Sequence, residues 1–187
     1  MKNNQTASFI ALCLCCCLKG FAKAPKYVFF FIGDGMGLNQ VVATQYYLRS
    51  CEGELGITPL CFAQFPYTGI ATSYSASSDV TDSAAGGTAL ATGHKTNNGV
   101  IGMAADEVTP VTSIAEMAHR YGAKVGITTS VTVNHATPAS FYAHQRSRND
   151  YYEIGTQLAT SGFDFFAGGD LAENVNPHNH TVPQLYH

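Results

Sequence analysis

The stretch Tyr27–Gly37 reads YVFFFIGDGMG. Its first six residues form a continuous apolar run rich in aromatics and closed by Gly33. That is the pattern of a strand buried on both faces of a parallel sheet. Open α/β sheets bind ligands beyond the carboxyl ends of such strands, and Asp34 stands there, two residues past the run. Gly33, Gly35 and Gly37 let backbone pass close to a ligand or take positive φ. A carboxylate so placed is a hard oxygen ligand for Zn2+ or Mg2+. A plain N-cap aspartate ahead of a helix would give the same pattern.

Working outward, Leu38–Leu48 has helix-compatible spacing and Tyr67–Tyr74 alternates weakly, as a second strand. Ala84–Ala91 is small and helix-permissive, and Val111–Tyr121 has apolar positions at Ile114, Met117, Ala118 and Tyr121. Lys124–Val133 is rich in β-branched residues and predicts a strand. Pro138, placed at N1, would start a helix running through His144. Tyr151–Ser161 predicts an amphipathic helix and Phe163–Ala167 a short strand. Strands alternating with helices imply a layered α/β fold with a mostly parallel sheet.

Ahead of the first strand, Lys2 supplies a positive start and Ala7–Leu18 an uncharged apolar run of 12. Ala22-Lys23-Ala24 then offers small residues at −3 and −1 of a cleavage site. Residues 1–24 therefore read as an export signal, to the periplasm or outside the cell. The run is too short for a membrane span, which needs about 20 apolar residues. A buried core helix would have to tolerate four cysteines in five positions, and a lipoprotein signal would need a small residue where Leu or Cys precedes each cysteine.

The 187 residues carry a formal charge of −3, with 45% hydrophobic and 12% charged residues. Without the signal the charge becomes −6, because three lysines and no acid leave with it. Such a chain lacks the basic face of a nucleic-acid binder and the polarity of a disordered one. Of the six cysteines only Cys51 and Cys61 remain. They permit one bridge in an oxidising compartment or two free thiols.

Two further constellations carry chemistry. Thr81-Asp82-Ser83-Ala84-Ala85-Gly86-Gly87-Thr88-Ala89 puts Ser83 at the start of a small-residue helix, in the field of its N-terminus. An ordinary Ser cap shares that position. Asn134-His135-Ala136-Thr137-Pro138 follows a predicted strand, and His135 and Thr137, two apart, project on one face of extended backbone. Arg148, eleven residues beyond Thr137, could return a guanidinium fork that grips phosphate oxygens. Taken singly, His135 fits a satisfied structural histidine and Arg148 a solvated charge.

Together these pieces resemble the alkaline phosphatase family. The matching segments are Phe31-Ile32-Gly33-Asp34-Gly35-Met36-Gly37, the Thr81–Ala89 stretch, and His135-Ala136-Thr137-Pro138-Ala139 with Ala143-His144 and Arg148. The resemblance implies a three-layer α/β sandwich, two zinc sites, one magnesium site and hydrolysis of phosphate monoesters; family members form homodimers. It implies that Asp34 bridges the second zinc and the magnesium. Ser83 would be the nucleophile that becomes phosphoserine and also touches that zinc. His135 and Thr137 match magnesium-site positions and Arg148 the phosphate-gripping arginine, oriented by Asp82. A His at position 135 weakens the case for tight Mg2+, which prefers oxygen ligands.

The resemblance also implies later Asp, His and Glu ligands. Asp164 and Asp170 lack the spacing of the first-zinc ligands, and no zinc role transfers to His178 and His180. Residues 25–187 are therefore expected to be an N-terminal portion of the catalytic domain, truncated at its C-terminus, with weak or absent turnover. A sulfatase or phosphodiesterase relative, and a non-catalytic exported metal- or phosphate-binding fragment, are the alternatives.

Overall fold

The computed structural model describes residues 25–172. The export signal and the His178/His180 cluster lie outside them. The chain divides into Met1–Gly33 and Asp34–His187. In the first unit, residues 25–33 form neither helix nor strand. Phe29 and Phe31 stack with ring centroids 6.5 Å apart, and both are exposed. The strand predicted over Tyr27–Ile32 is therefore not formed. An apolar run supplies the side chains of a parallel strand, but a ladder needs non-local neighbours, and among the described residues no ladder forms over this run.

The second unit runs α1 (Leu38–Cys51), a 3-10 turn (Cys61–Gln64), α2 (Ser83–Thr92), α3 (Ile114–Arg120), β1 (Gly126–Thr128), α4 (Ala136–Ala139), α5 (Tyr151–Thr160) and β2 (Phe165–Ala167). β1 and β2 pair in parallel, Gly126 with Phe165, Ile127 with Phe166 and Thr128 with Ala167. The α4–α5 segment makes the crossover between them, so the α/β expectation is met by a two-stranded sheet among the described residues. The strand predicted over Tyr67–Tyr74 is absent. Tyr67 and Ile70 lie exposed with no ladder partner.

Local chemistry sets the helix limits. Asp82 caps α2 by accepting the Ala85 amide, and Gly93 ends it in the left-handed conformation at φ 75°. Ser113 and Glu116 form a reciprocal capping box on α3, which moves its start three residues past Val111. α4 begins at Ala136, so Pro138 is its third residue and not its first. Proline fits there because the first-turn amides have no intrahelical acceptor. The helix predicted through His144 ends at Ala139, and Gln145 instead pairs antiparallel with Ile101.

The core is built of small residues from α2 and α4 with two larger ones from α5. It comprises Ala84, Ala136, Ala139, Ala143, Ile101, Tyr142, Ile154 and Leu158. Ile127 and Phe166 from the strands pack against it, and Tyr142 meets Phe166 edge-on at 5.4 Å. Burial pushes the Tyr142 phenol up, so it stays protonated and donates to Val133 O at 2.6 Å. By contrast, Leu38, Val42 and Tyr46 leave an exposed apolar stripe along α1, whose buried residue is Gln45. Cys51 and Cys61 are both free and exposed.

Candidate functional site

Two other chain segments converge on the Asp34 carboxylate. Ser83, the first residue of α2, donates from Oγ to Asp34 Oδ1 at 3.2 Å. Thr137, in α4, donates from Oγ1 to the other oxygen, Oδ2, at 2.9 Å. The glycine-flanked turn at Asp34 stays exposed, and Gly35 takes φ 66°. Alanine-rich packing between α2 and α4 places the two hydroxyls. A β-carbon on Gly87 would sit 2.6 Å from Ser140 Oγ, so glycine is what allows this approach.

Beside this cluster, Asp82 organises a second one. Its Oδ1 accepts Ala85 N at 2.9 Å, and its Oδ2 accepts Gly99 N and Arg148 Nη1, each at 3.0 Å. Burial works to raise the Asp82 pKa. The bonds from Ala85, Arg148 and Gly99 together outweigh it, and the carboxyl lies below its ordinary value. Arg148 is thereby tied by one nitrogen, while its other terminal nitrogen, Nη2, reaches His135 Nε2 at 3.4 Å.

An arginine can only donate, so His135 Nε2 is the acceptor and the ring proton sits on Nδ1. That Nδ1 is buried without a partner. Burial first, then the Arg148 charge, lower the His135 pKa against the opposing pull of Asp34. The ring is neutral at neutral and alkaline pH. The structure thus brings all six sequence-predicted residues, Asp34, Asp82, Ser83, His135, Thr137 and Arg148, into two adjoining clusters. Asp164 and Asp170 serve elsewhere. Asp164 pairs with Lys124 and accepts Val125 N, and Asp170 accepts Leu171 N.

The profile of the family described as alkaline phosphatase matches residues 25–176. The chain belongs to the alkaline phosphatase family. It is 34% identical over 165 residues to alkaline phosphatase 4 of Drosophila melanogaster, covering 83% of this chain and 27% of that protein. It is 36% identical over 143 residues to the human tissue-nonspecific alkaline phosphatase, covering 69% of this chain and 26% of the relative. The chain spans about a quarter of the length of the curated relatives it matches.

Among solved structures, the alkaline phosphatase of the Antarctic bacterium TAB5 aligns with 42% identity and a TM-score of 0.61, over 65% of this chain and 36% of that one. A histidine-to-aspartate mutant of the TAB5 enzyme, with Mg bound in its M3 site, aligns with 38% identity and a TM-score of 0.71 over 81% of this chain and 41% of that one. These matches establish the alkaline phosphatase-like fold.

The donor chemistry around Asp34 suits the metals of this family. A carboxylate and two hydroxyls converging from three segments offer oxygen ligands to a hard divalent cation. They form one face of a shell. Among the described residues no three His, Cys, Asp or Glu side chains cluster as a metal site. His135 turns its lone pair to Arg148.

Three residues that fix these two clusters escape the motifs. Asn98 accepts the Asp82 amide at 3.1 Å and donates to Val80 O at 3.0 Å. Gly99 binds Asp82 through its amide and Arg148 N through its carbonyl, the latter at 2.7 Å. Their signal was Asn97-Asn98-Gly99, a turn sequence whose distant partners no local pattern names. Asn134, fully buried, donates to Tyr151 O and Ala172 O and accepts Ala172 N, and so anchors the loop that presents His135.

Proposed function

We propose that the chain carries the nucleophile and phosphate-gripping half of a metal-dependent phosphomonoesterase, with Ser83 forming a phosphoserine. The observation that supports this most directly is the Asp34 carboxylate receiving the Ser83 and Thr137 hydroxyls, beside an arginine held on Asp82. Asp34, Ser83 and Thr137 would hold the cation on oxygen. His135 would stand at the magnesium position as a neutral ring. When bound, zinc and magnesium supply the Lewis acidity that activates a nucleophile and stabilises a leaving oxygen.

The residues do the rest. A serine hydroxyl is a weak nucleophile and needs its proton removed. Ser83 already directs that proton at Asp34 Oδ1. As Ser83 Oγ forms its bond to phosphorus, the ester P–O bond breaks and the alcohol leaves with a proton. Arg148 holds the non-bridging oxygens as charge redistributes. Because Asp82 and His135 occupy parts of both its terminal nitrogens, the guanidinium is preorganised and little rotamer freedom is lost on binding phosphate. Water then cleaves the phosphoserine and restores Ser83. Nothing in these clusters grips the alcohol portion, so phosphate monoesters as a class are the substrates. The enzyme would be exported and homodimeric.

Incubation with zinc, magnesium and a chromogenic phosphomonoester, quenched in acid, tests the reading. Phosphate trapped on Ser83 and lost in Ser83→Ala is expected, with slow turnover because the described residues supply only one face of a metal shell. Metal binding without trapped phosphoserine would favour a non-catalytic binding role. Robust turnover that depends on Ser83 would overturn the half-site view.

A further inference from the structure

His144 lies four residues before Arg148 and bonds to none of the metal-ligand candidates. Yet both its ring nitrogens are engaged. Nδ1 stands 2.6 Å from Gly102 O and Nε2 stands 2.9 Å from Glu116 Oε1. An acceptor at each nitrogen is satisfied on both sides only by the doubly protonated ring. The other Glu116 oxygen accepts Ser113 N at 2.7 Å in the α3 capping box, and Ser113 Oγ donates to Phe141 O at 2.7 Å. From α5, Gln157 clamps the His144 backbone, accepting its amide at 2.8 Å.

Gly102 is shaped to this ring. It takes φ 59°, and a β-carbon there would overlap Ala143 O and stand 2.8 Å from His144 Nδ1. Its carbonyl also accepts Val111 N at 2.9 Å. Gly102 ends the short segment on which the arginine is mounted. Ile101 and Gln145 exchange two backbone bonds of 2.9 Å, and Arg148 N donates to Gly99 O. Gly99 in turn donates to Asp82 Oδ2, the atom that holds Arg148 Nη1. Both the backbone of Arg148 and the partner of its side chain are thus registered to residues 99–102.

We propose that His144 is a positioning residue for Arg148: its bridge from Glu116 to the Gly102 carbonyl locks the 99–102 segment against 145–148 and so aims the guanidinium. The role rests on reading Arg148 as the phosphate-gripping group. Amide hydrogen exchange and arginine side-chain NMR on the full chain test it, using Glu116→Gln and His144→Ala. Glu116→Gln removes the charge but retains a side chain compatible with the capping box.

In both variants the amides of Ile101, Gln145 and Arg148 should exchange about tenfold faster or more, as expected for loss of a charge-assisted bond. The Arg148 guanidinium resonance should broaden, while Ile154 in α5 keeps its protection. Unchanged exchange in Glu116→Gln, or equal loss of protection across α5, overturns the proposal. Titrating inorganic phosphate onto the zinc- and magnesium-loaded samples separates the two readings. A parent chain that binds no phosphate counts against the proposed function, and the exchange pattern still decides the positioning role. Variants that match a phosphate-binding parent in affinity overturn that role.

Discussion

A methyl group at Gly87 would push directly on the helix that carries Thr137. Its carbon would fall 2.6 Å from Ser140 Oγ, 3.1 Å from Ser140 Cβ and 3.5 Å from Thr137 Cα. Rotating Ser140 relieves the first conflict but forfeits its bonds to Ala136 O at 2.8 Å and Ala84 O at 3.4 Å. The second conflict stays, about 0.4 Å inside the ~3.5 Å carbon–carbon optimum, so α2 and α4 must part. Overpacking of this kind costs about 1–3 kcal/mol, offset by about 0.5–1 kcal/mol from alanine's helix propensity. The net loss lies between about zero and about 2.5 kcal/mol, or up to roughly 10 °C in thermal midpoint for a chain of this size. Urea and thermal unfolding followed by circular dichroism would measure it. Combining Gly87→Ala with Ser140→Gly removes both conflicting atoms, and in that background the alanine should be neutral or stabilising. If Gly87→Ala is no better tolerated with Ser140→Gly than without it, the close approach is not what holds these helices in register.

Asp82→Ala removes the α2 cap and should cost about 0.5–2 kcal/mol in urea unfolding. Asp82→Asn keeps a capping oxygen, so it should spare most of that stability yet free Arg148 and weaken phosphate binding, read by 31P titration. Arg148→Lys should weaken phosphate binding by at least about tenfold, since an ammonium cannot reproduce the fork that meets Asp82 and His135 together. The Glu116–His144 pair sets a pH window. The Glu116 hydrogen bonds, with His144 foremost, outweigh burial and lower its pKa, while the bond to Glu116 raises that of His144. The glutamate's contribution is complete above its ordinary 4.5 and fades as pH falls through its lowered value. The histidine's is complete below its ordinary 6.5 and fades as pH rises through its raised value. The thermal-midpoint gap between parent and Glu116→Gln should therefore be greatest between pH 4.5 and 6.5 and shrink as pH rises through the raised histidine value. A gap that grows with alkalinity would contradict the pairing.

The elements legible in the sequence are those whose causes are local. α2, α3 and α5 carry their own caps or periodicity, and the β-branched run before Asn134 contains β1. What failed was what depends on distant partners. Tyr27–Ile32 has the composition of a parallel strand, but composition supplies no ladder, and residues 67–74 fail for the same reason. Pro138 was misplaced by two positions because a proline is tolerated anywhere in the first turn. The pairing of Gln145 with Ile101, where a helix through His144 is predicted, lies more than forty positions apart along the chain and leaves no local mark.

The site divides along the same line. Asp34 meets Ser83 across 49 positions and Thr137 across 103. Ser83 could be named because it opens a helix, and Asp34 and Thr137 because each follows a run that reads as a strand. The residues that hold them carry no such mark. Asn98 and Gly99 look like any turn, and His144 looks like a surface histidine until Gly102 and Glu116 are brought to its two nitrogens. A motif reading therefore finds the groups proposed to meet phosphate and misses the groups that would aim them. Aim matters here because Arg148 has one carboxylate holding it, and that carboxylate also accepts the Gly99 amide. A shift of the 99–102 segment therefore moves the arginine's anchor and its backbone together, so variants at Gly99, Gly102 or His144 should alter phosphate affinity without touching a residue that contacts it.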